Sequence, residues 1–474
     1  MGHGKGLAGM AGTPGARRRC AIVVGAILGA SVLALSSSPL TPMSASPVEA
    51  ADGLGAGGEY HPLTPQRIYD SRASSAINEP VPGPKPATDK TAVFEIPLLG
   101  QMGVPVAPSD VLAVVVNITV TEPTAAGWLN AYGSGAEAGT ASIVNFGANQ
   151  TVPNLTIVRP GANGKLTIKL FTGSAVGTAH VVADVFGWFS TSSFPASSAA
   201  ERGSRLIPIS PGRLLDTRAA GAPLGQQQSI DVQVQGATLA TGLTLPTDMV
   251  GVVLNLTGVN DLPGSANTYL SVVPDAIRPG SPPGTSNLNL SKGQVKPNMV
   301  IVPVGADGKV RLYNNTGTAH VVVDVAGYLR KVPDNTRNGR VVPLTTPYRV
   351  FDTREGQWGD VPLGPGQAED WSFADFAKSV LIGTQEVGPQ LAVIGNLTAA
   401  GLARQYPAVA ASSYLTVYPS TSSKPEASNL NMVEGPPVPN LAIMMYSTST
   451  TVRVYNFAGY SDYLYDASAV VLAD

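Results

Sequence analysis

The amino-acid sequence predicts an all-β chain: three tandem antiparallel β-sandwich or jelly-roll-like domains behind an N-terminal signal segment. Three observations carry that expectation. A set of motifs recurs three times in one order, apolar residues alternate with period two rather than with the helical period, and 52 glycines and 40 prolines punctuate 474 residues without a Gly-X-Y repeat. Hydrophobic residues make up 43% and charged residues 13%, against an average charged share of about 25%, which excludes a polyelectrolyte disordered chain and leaves material for a large core. The net charge is −2 and the basic residues are scattered, so no nucleic-acid partner is expected.

Residues 1–50 read as a signal peptide or signal anchor. Arg17, Arg18 and Arg19 precede an uncharged run over residues 20–35 that is too short for a comfortable bilayer span, and Val48-Glu49-Ala50 offers a small-x-small cleavage site before Ala51. Cleaved or anchored, the segment places the rest of the chain outside the cell or on its surface, with membrane contact only through the segment if it is retained. Cys20 is the only cysteine and precedes the apolar run, so neither lipidation nor a disulfide is expected.

The spacing of the motifs divides the rest into β repeat 1 at 58–190, a linker at 191–204, repeat 2 at 205–330, a linker at 331–339 and repeat 3 at 340–474. Each repeat opens on Arg-apolar-x-Asp-(Ser/Thr)-Arg: Arg67, Asp70 and Arg72, then Arg213, Asp216 and Arg218, then Arg349, Asp352 and Arg354. Asn-(Ile/Leu)-Thr comes next at Asn117, Asn255 and Asn396, then Ser-x-x-Asn from Ser142, Ser286 and Ser428, then Pro-Asn at Asn154, Asn298 and Asn440. The first two repeats close on His-Val-Val-x-Asp-Val-x-Gly-aromatic from His180 and His320. The third reads as divergent, with an insertion around 460–465, no histidine, and a stop at Asp474 where the Val-x-Gly-aromatic ending would begin.

Within a repeat, residues 111–121 alternate apolar and polar toward Asn117, Thr119 and Thr121, which predicts a strand with one buried face and a twin at 250–259. Residues 128–132, 269–273 and 414–418 predict the next strand of each copy. Residues 155–158 and 165–171 flank Gly161-Ala-Asn-Gly164, and residues 299–302 and 309–313 flank Ala306-Asp-Gly308; both read as hairpins.

Together the Arg-apolar-x-Asp-Thr-Arg opening, the Ser-Asn-Leu-Asn centre and the His-Val-Val-x-Asp-Val-x-Gly-aromatic close resemble a repeated β-rich domain of secreted and cell-surface proteins of actinobacteria. The resemblance covers nearly the whole chain beyond the N-terminal segment. It implies an extracellular or envelope-associated role. In that family such domains accompany secreted hydrolases, such as cell-wall amidases or proteases, or stand alone as repeat proteins. No enzyme module accompanies them here, and the resemblance supplies no catalytic residue to carry over.

Catalytic chemistry finds little to stand on. A triad would need His61, His180 or His320, yet His180 and Asp184 share a strand face about 13 Å apart, too far for a hydrogen bond. No metal-ligand spacing, nucleophile elbow or phosphate loop occurs, and no cofactor is expected. The Asn-x-Thr triplets are also glycosylation sequons, but their recurrence inside a strand favours a structural role. The Asp-x-Arg elements have two readings: an ion-pair lock on the first strand, or a cation or sugar site at Asp70, Asp216 and Asp352. The lock is favoured, because charge is scarce in this chain and repeats in every copy. Trp128, Tyr269 and Tyr414 occupy equivalent positions and serve either as core or as a carbohydrate-binding row. The expected function is therefore a non-catalytic secreted or cell-surface repeat protein, structural, adhesive or glycan-binding, with a cell-wall polysaccharide or surface protein as partner. The alternative is a secreted hydrolase, or an accessory subunit of one, with an unrecognised active site.

Overall fold

The computed structural model describes residues 18–19, 56–72, 91–174, 176–196, 201–274, 283–355, 361–378, 380–382, 385–402 and 412–474. The signal reading of residues 1–50 lies outside these, apart from Arg18–Arg19, a two-residue strand parallel to Ala368–Ser372.

Apart from one short helix at Ala374–Lys378, the regular structure of the described residues is β, with six principal antiparallel sheets set in a ring about a common core rather than three sandwiches strung in a row. Repeat 1 supplies the eight strands Tyr60–Asp70, Thr91–Pro97, Val111–Thr121, Gly127–Gly133, Val144–Phe146, Val152–Val158, Lys165–Thr172 and His180–Ser190. In one sheet the order is first, eighth, third, sixth; in the other it is second, seventh, fourth, fifth. Repeats 2 and 3 reproduce both orders, repeat 3 adding a small hairpin of Val380–Ile382 and Gln385–Val387. Within each repeat the two sheets share one hydrophobic cluster.

Three sequence expectations are corrected by this arrangement. Val111–Thr121, rich in β-branched residues, is a strand as expected, but both of its faces are buried. Val114, Val116, Ile118 and Val120 face the cluster of repeat 1, while Ala113 and Val115 join a second cluster shared by all three repeats. The turn at Gly161–Gly164 is present, with the Gly164 N–H donating to the Gly161 carbonyl at 2.8 Å. The strands it joins belong to different sheets, so it is a corner and not a hairpin, as is the corresponding turn before Lys309. Repeat 3 carries no insertion at its close. Ser461–Leu472 pairs with Val341–Asp352 in the register of the other repeats: Arg349 opposes Asp466 as Arg67 opposes Asp184 and Arg213 opposes Asp324. Asp466, not Asp474, is the counterpart of the motif aspartate, and the remaining residues complete the strand.

The shared cluster takes residues from the first sheet of every repeat, among them Phe186, Phe189, Met299, Ile301, Ile394 and Ile443. Burying these faces against one another removes the inner sheets from water, so the three repeats share one hydrophobic core. At one end of the ring the residue three places before Pro62, Pro208 and Pro343 is Glu59, Arg205 and Arg340 respectively. Glu59 Oε1 lies 3.5 Å from Arg205 Nε and 3.3 Å from an Arg340 guanidinium nitrogen, a buried ion cluster built from one side chain per repeat.

Calorimetry should therefore show a single cooperative transition for the whole chain, with equal calorimetric and van't Hoff enthalpies. Three resolved transitions assignable to separate repeats would contradict the shared core.

Candidate functional site

The Asn-x-Thr and Pro-Asn landmarks meet at the junction of the three repeats. Asn298 Nδ2 donates to Asn117 Oδ1 at 3.0 Å, Asn440 to Asn255 at 2.8 Å, and Asn154 to Asn396 at 2.8 Å. Each bond crosses a repeat boundary, and the three close a circle. The acceptor oxygens of the Pro-Asn residues continue it: the N–H groups of Leu155, Met299 and Leu441 donate to Asn298, Asn440 and Asn154. Asn117, Asn255 and Asn396 in turn donate to the carbonyls of Ser286, Ser428 and Ser142, each in a neighbouring repeat. All six asparagines are buried, so the sequon asparagines are closed to glycan attachment in the folded chain. A head-to-tail contact of this kind forms a ring only if the rotation closes, and here it closes after three copies.

The Asp-x-Arg elements flank that junction. Arg67 bridges two carboxylates, Asp184 through Nε at 2.9 Å and Asp70 through Nη1 at 3.0 Å, and Arg72 adds a fork onto Asp70 with contacts of 2.8 and 2.6 Å. Arg213 with Asp216, Arg218 and Asp324, and Arg349 with Asp352, Arg354 and Asp466, repeat the arrangement. The hydrogen bonds from Arg218 hold the Asp216 carboxyl below the usual carboxylate range. Burial pushes Asp184, Asp324 and Asp466 the other way, against their arginines. The network reaches across repeats: Asp324 accepts the Ser428 N–H at 3.3 Å, and Arg213 donates to the Glu426 carbonyl at 3.0 Å. The closing-strand aspartates are arginine partners that the motif spacing alone does not assign; their fixed place in every close is the signal that marks them.

The three described histidines, His61, His180 and His320, each contact an aromatic ring or a hydroxyl. His61 stacks on Trp188 at 4.0 Å, and burial pushes its imidazole down to about 4. His180 Nδ1 lies 3.0 Å from Ser71 Oγ and His320 Nδ1 3.0 Å from Thr217 Oγ1. Those hydroxyls are buried and already accept strand N–H groups from Val181 and Val321. In repeat 3, Asp462 stands in the histidine's place and accepts from Thr353 at 2.9 Å.

Trp128, Tyr269 and Tyr414 lie half-buried on the second sheets, outside every core cluster, each beside another ring. Trp128 stacks on Phe171 at 5.4 Å, Tyr414 on the exposed Phe457 at 4.7 Å, and Tyr269 tilts against Tyr313 at 6.1 Å. Lys169 stands 5.8 Å from the Trp128 ring centre and Lys424 4.8 Å from that of Tyr455. They form three separate ring pairs, one per repeat, and not one continuous row.

No protein-family model and no curated protein matches the chain. Among solved structures, the chain is similar to the CBM22-1–CBM22-2 tandem domain of Paenibacillus barcinonensis Xyn10C, at 12% identity over 56% of this chain and 98% of that one, with a TM-score of 0.15. It is also similar to the structure of Sulfolobus Turreted Icosahedral Virus, at 11% identity over 88% and 92% of the two chains and a TM-score of 0.18. A third is a triple jelly roll of an archaeal virus turret assembly, at 12% identity over 87% and 90% and a TM-score of 0.17. Scores this low assign neither fold nor function.

Replacing Asn298 by Ala leaves Asn117 Oδ1, the Leu155 N–H and the Asn287 main-chain carbonyl short of a partner. Denaturant unfolding should show a loss of roughly 3 kcal/mol or more; a loss under about 1 kcal/mol would mean that the ring is dispensable. Asp216→Asn should cost about 2 kcal/mol at neutral pH, between the values for exposed and buried pairs. Because the folded state depresses this carboxyl, its stabilisation is present above the ordinary carboxylate range and is lost as pH falls through the depressed value. Parent and variant melting curves should converge in acid.

Proposed function

We propose that the chain is a non-catalytic protein of the cell exterior, in which three fused jelly-roll sandwiches present three saccharide-binding platforms around one ring. The sandwich reading is supported by strand order: pairing the first strand of a repeat with its eighth is jelly-roll connectivity, whereas a propeller blade runs its strands consecutively. The exterior reading is supported by the cationic and apolar N-terminus and by the resemblance of the repeated motifs.

The observation that carries the binding reading is the recurrence of a half-exposed aromatic beside a second ring at one outward position of every second sheet. A ring face left outside the core offers a sugar an apolar plane, and the lysines beside two of the three sites supply donors at its edge. Ring symmetry turns the platforms in three directions, so they suit separate polysaccharide strands and join weak contacts by avidity. The non-catalytic reading is supported by the three described histidines, which lie beside a buried hydroxyl or an aromatic ring.

A glycan array probed with the chain should return polysaccharide ligands, and Trp128→Ala, Tyr269→Ala and Tyr414→Ala combined should abolish binding while leaving the melting temperature within a few degrees. An empty array, or binding that survives the triple substitution, would refute the reading.

A further inference from the structure

At the end of the ring opposite Glu59, the sixth strands of the three repeats enclose a cavity of about 90 Å³. Its walls are largely apolar and come from every repeat, with Pro153, Pro297 and Pro439 in equivalent places. Two residues before each Pro-Asn asparagine the repeats carry Val152, Lys296 and Val438. One lysine thus stands where its two counterparts are valine. Lys296 Nζ is shut off from water and has no hydrogen-bond partner among the described residues. Burial lowers its pKa to about 8, so it keeps its proton at neutral pH. An ammonium enclosed without an acceptor is costly, and the cost is relieved by an anion.

We propose that this cavity binds a small free monocarboxylate, its charge on Lys296 and its short alkyl part against the three prolines. The lysine stem is flexible enough to present its nitrogen to the cavity. Apolar walls and a single cation disfavour phosphate or sulfate, whose strong hydration would go unreplaced. The other ionisable side chain lining the cavity is Glu434, on its exposed rim.

The test compares the parent chain with Lys296→Val, which installs the residue that the other repeats already accommodate. At pH 7 and constant ionic strength, replacing chloride by acetate should raise the parent melting temperature in a concentration-dependent way, and Lys296→Val should weaken acetate binding at least tenfold, as read by ligand-observed NMR. Without acetate, the parent should gain stability relative to the variant as pH rises from about 8 toward 10.5, since the unfolded chain then holds a proton that the folded chain has released. Saturating acetate should flatten that gain. An acetate response that persists in Lys296→Val, a response matched by phosphate, or no response in the parent would overturn the proposal. So would a response seen only in Glu434→Gln, which would make the chain's own carboxylate the occupant.

Discussion

Six buried amides hold this molecule's geometry. A buried asparagine must satisfy donors and an acceptor at fixed angles, and here those partners lie in the neighbouring repeat. Apolar packing alone would let the inner sheets slide or rotate against each other, because burial is proportional to area and has no direction. The amide circle selects one rotation and one register, and the shared core supplies the free energy that makes the rotation worth adopting. The Arg-Asp networks stand beside it and brace the first and last strands of each repeat, and at Asp324 the Ser428 N–H of the next repeat docks on the network.

Much of this is legible in the sequence, and the parts that are not share a cause. Strand Val111–Thr121 can be read because β-branched alternation is a local signal. Its second buried face cannot, since the residues covering it belong to other repeats. Asn117, Asn154 and their equivalents stand out by recurrence, but their partners lie 181 to 242 residues away, and periodicity reports no such distance. The turn at Gly164 is visible from its glycines, which mark a reversal of direction without saying which sheet receives the next strand. The close of repeat 3 is hidden because histidine marks the other two closes, and Asp462 performs the same hydroxyl contact without it. The outward aromatics are recognisable as equivalents, while their pairing with Phe171, Tyr313 and Phe457 depends on the sheet order.

Fusion of the three copies into one chain gives the ring a freedom that a homotrimer lacks. In a homotrimer every side chain near the axis occurs three times, so a lysine there would meet two more lysines. In the fused chain Lys296 faces two valines, and the Glu59, Arg205 and Arg340 cluster can mix signs at equivalent positions. The backbone pattern stays threefold while the chemistry at each end of the axis does not.

The amide circle also bears on how the chain reaches its native state. Leu441 donates to Asn154 across 287 residues, and Asn396 to Ser142 across 254. Contacts of such span make folding slow, and a chain synthesised from its N-terminus must wait for its last third before the circle closes. Until then the first two inner sheets expose the apolar faces around Phe186 and Ile301 with nothing to cover them. Synthesis therefore imposes an interval in which those apolar faces lie open, and aggregation competes with closure of the circle until the third repeat arrives.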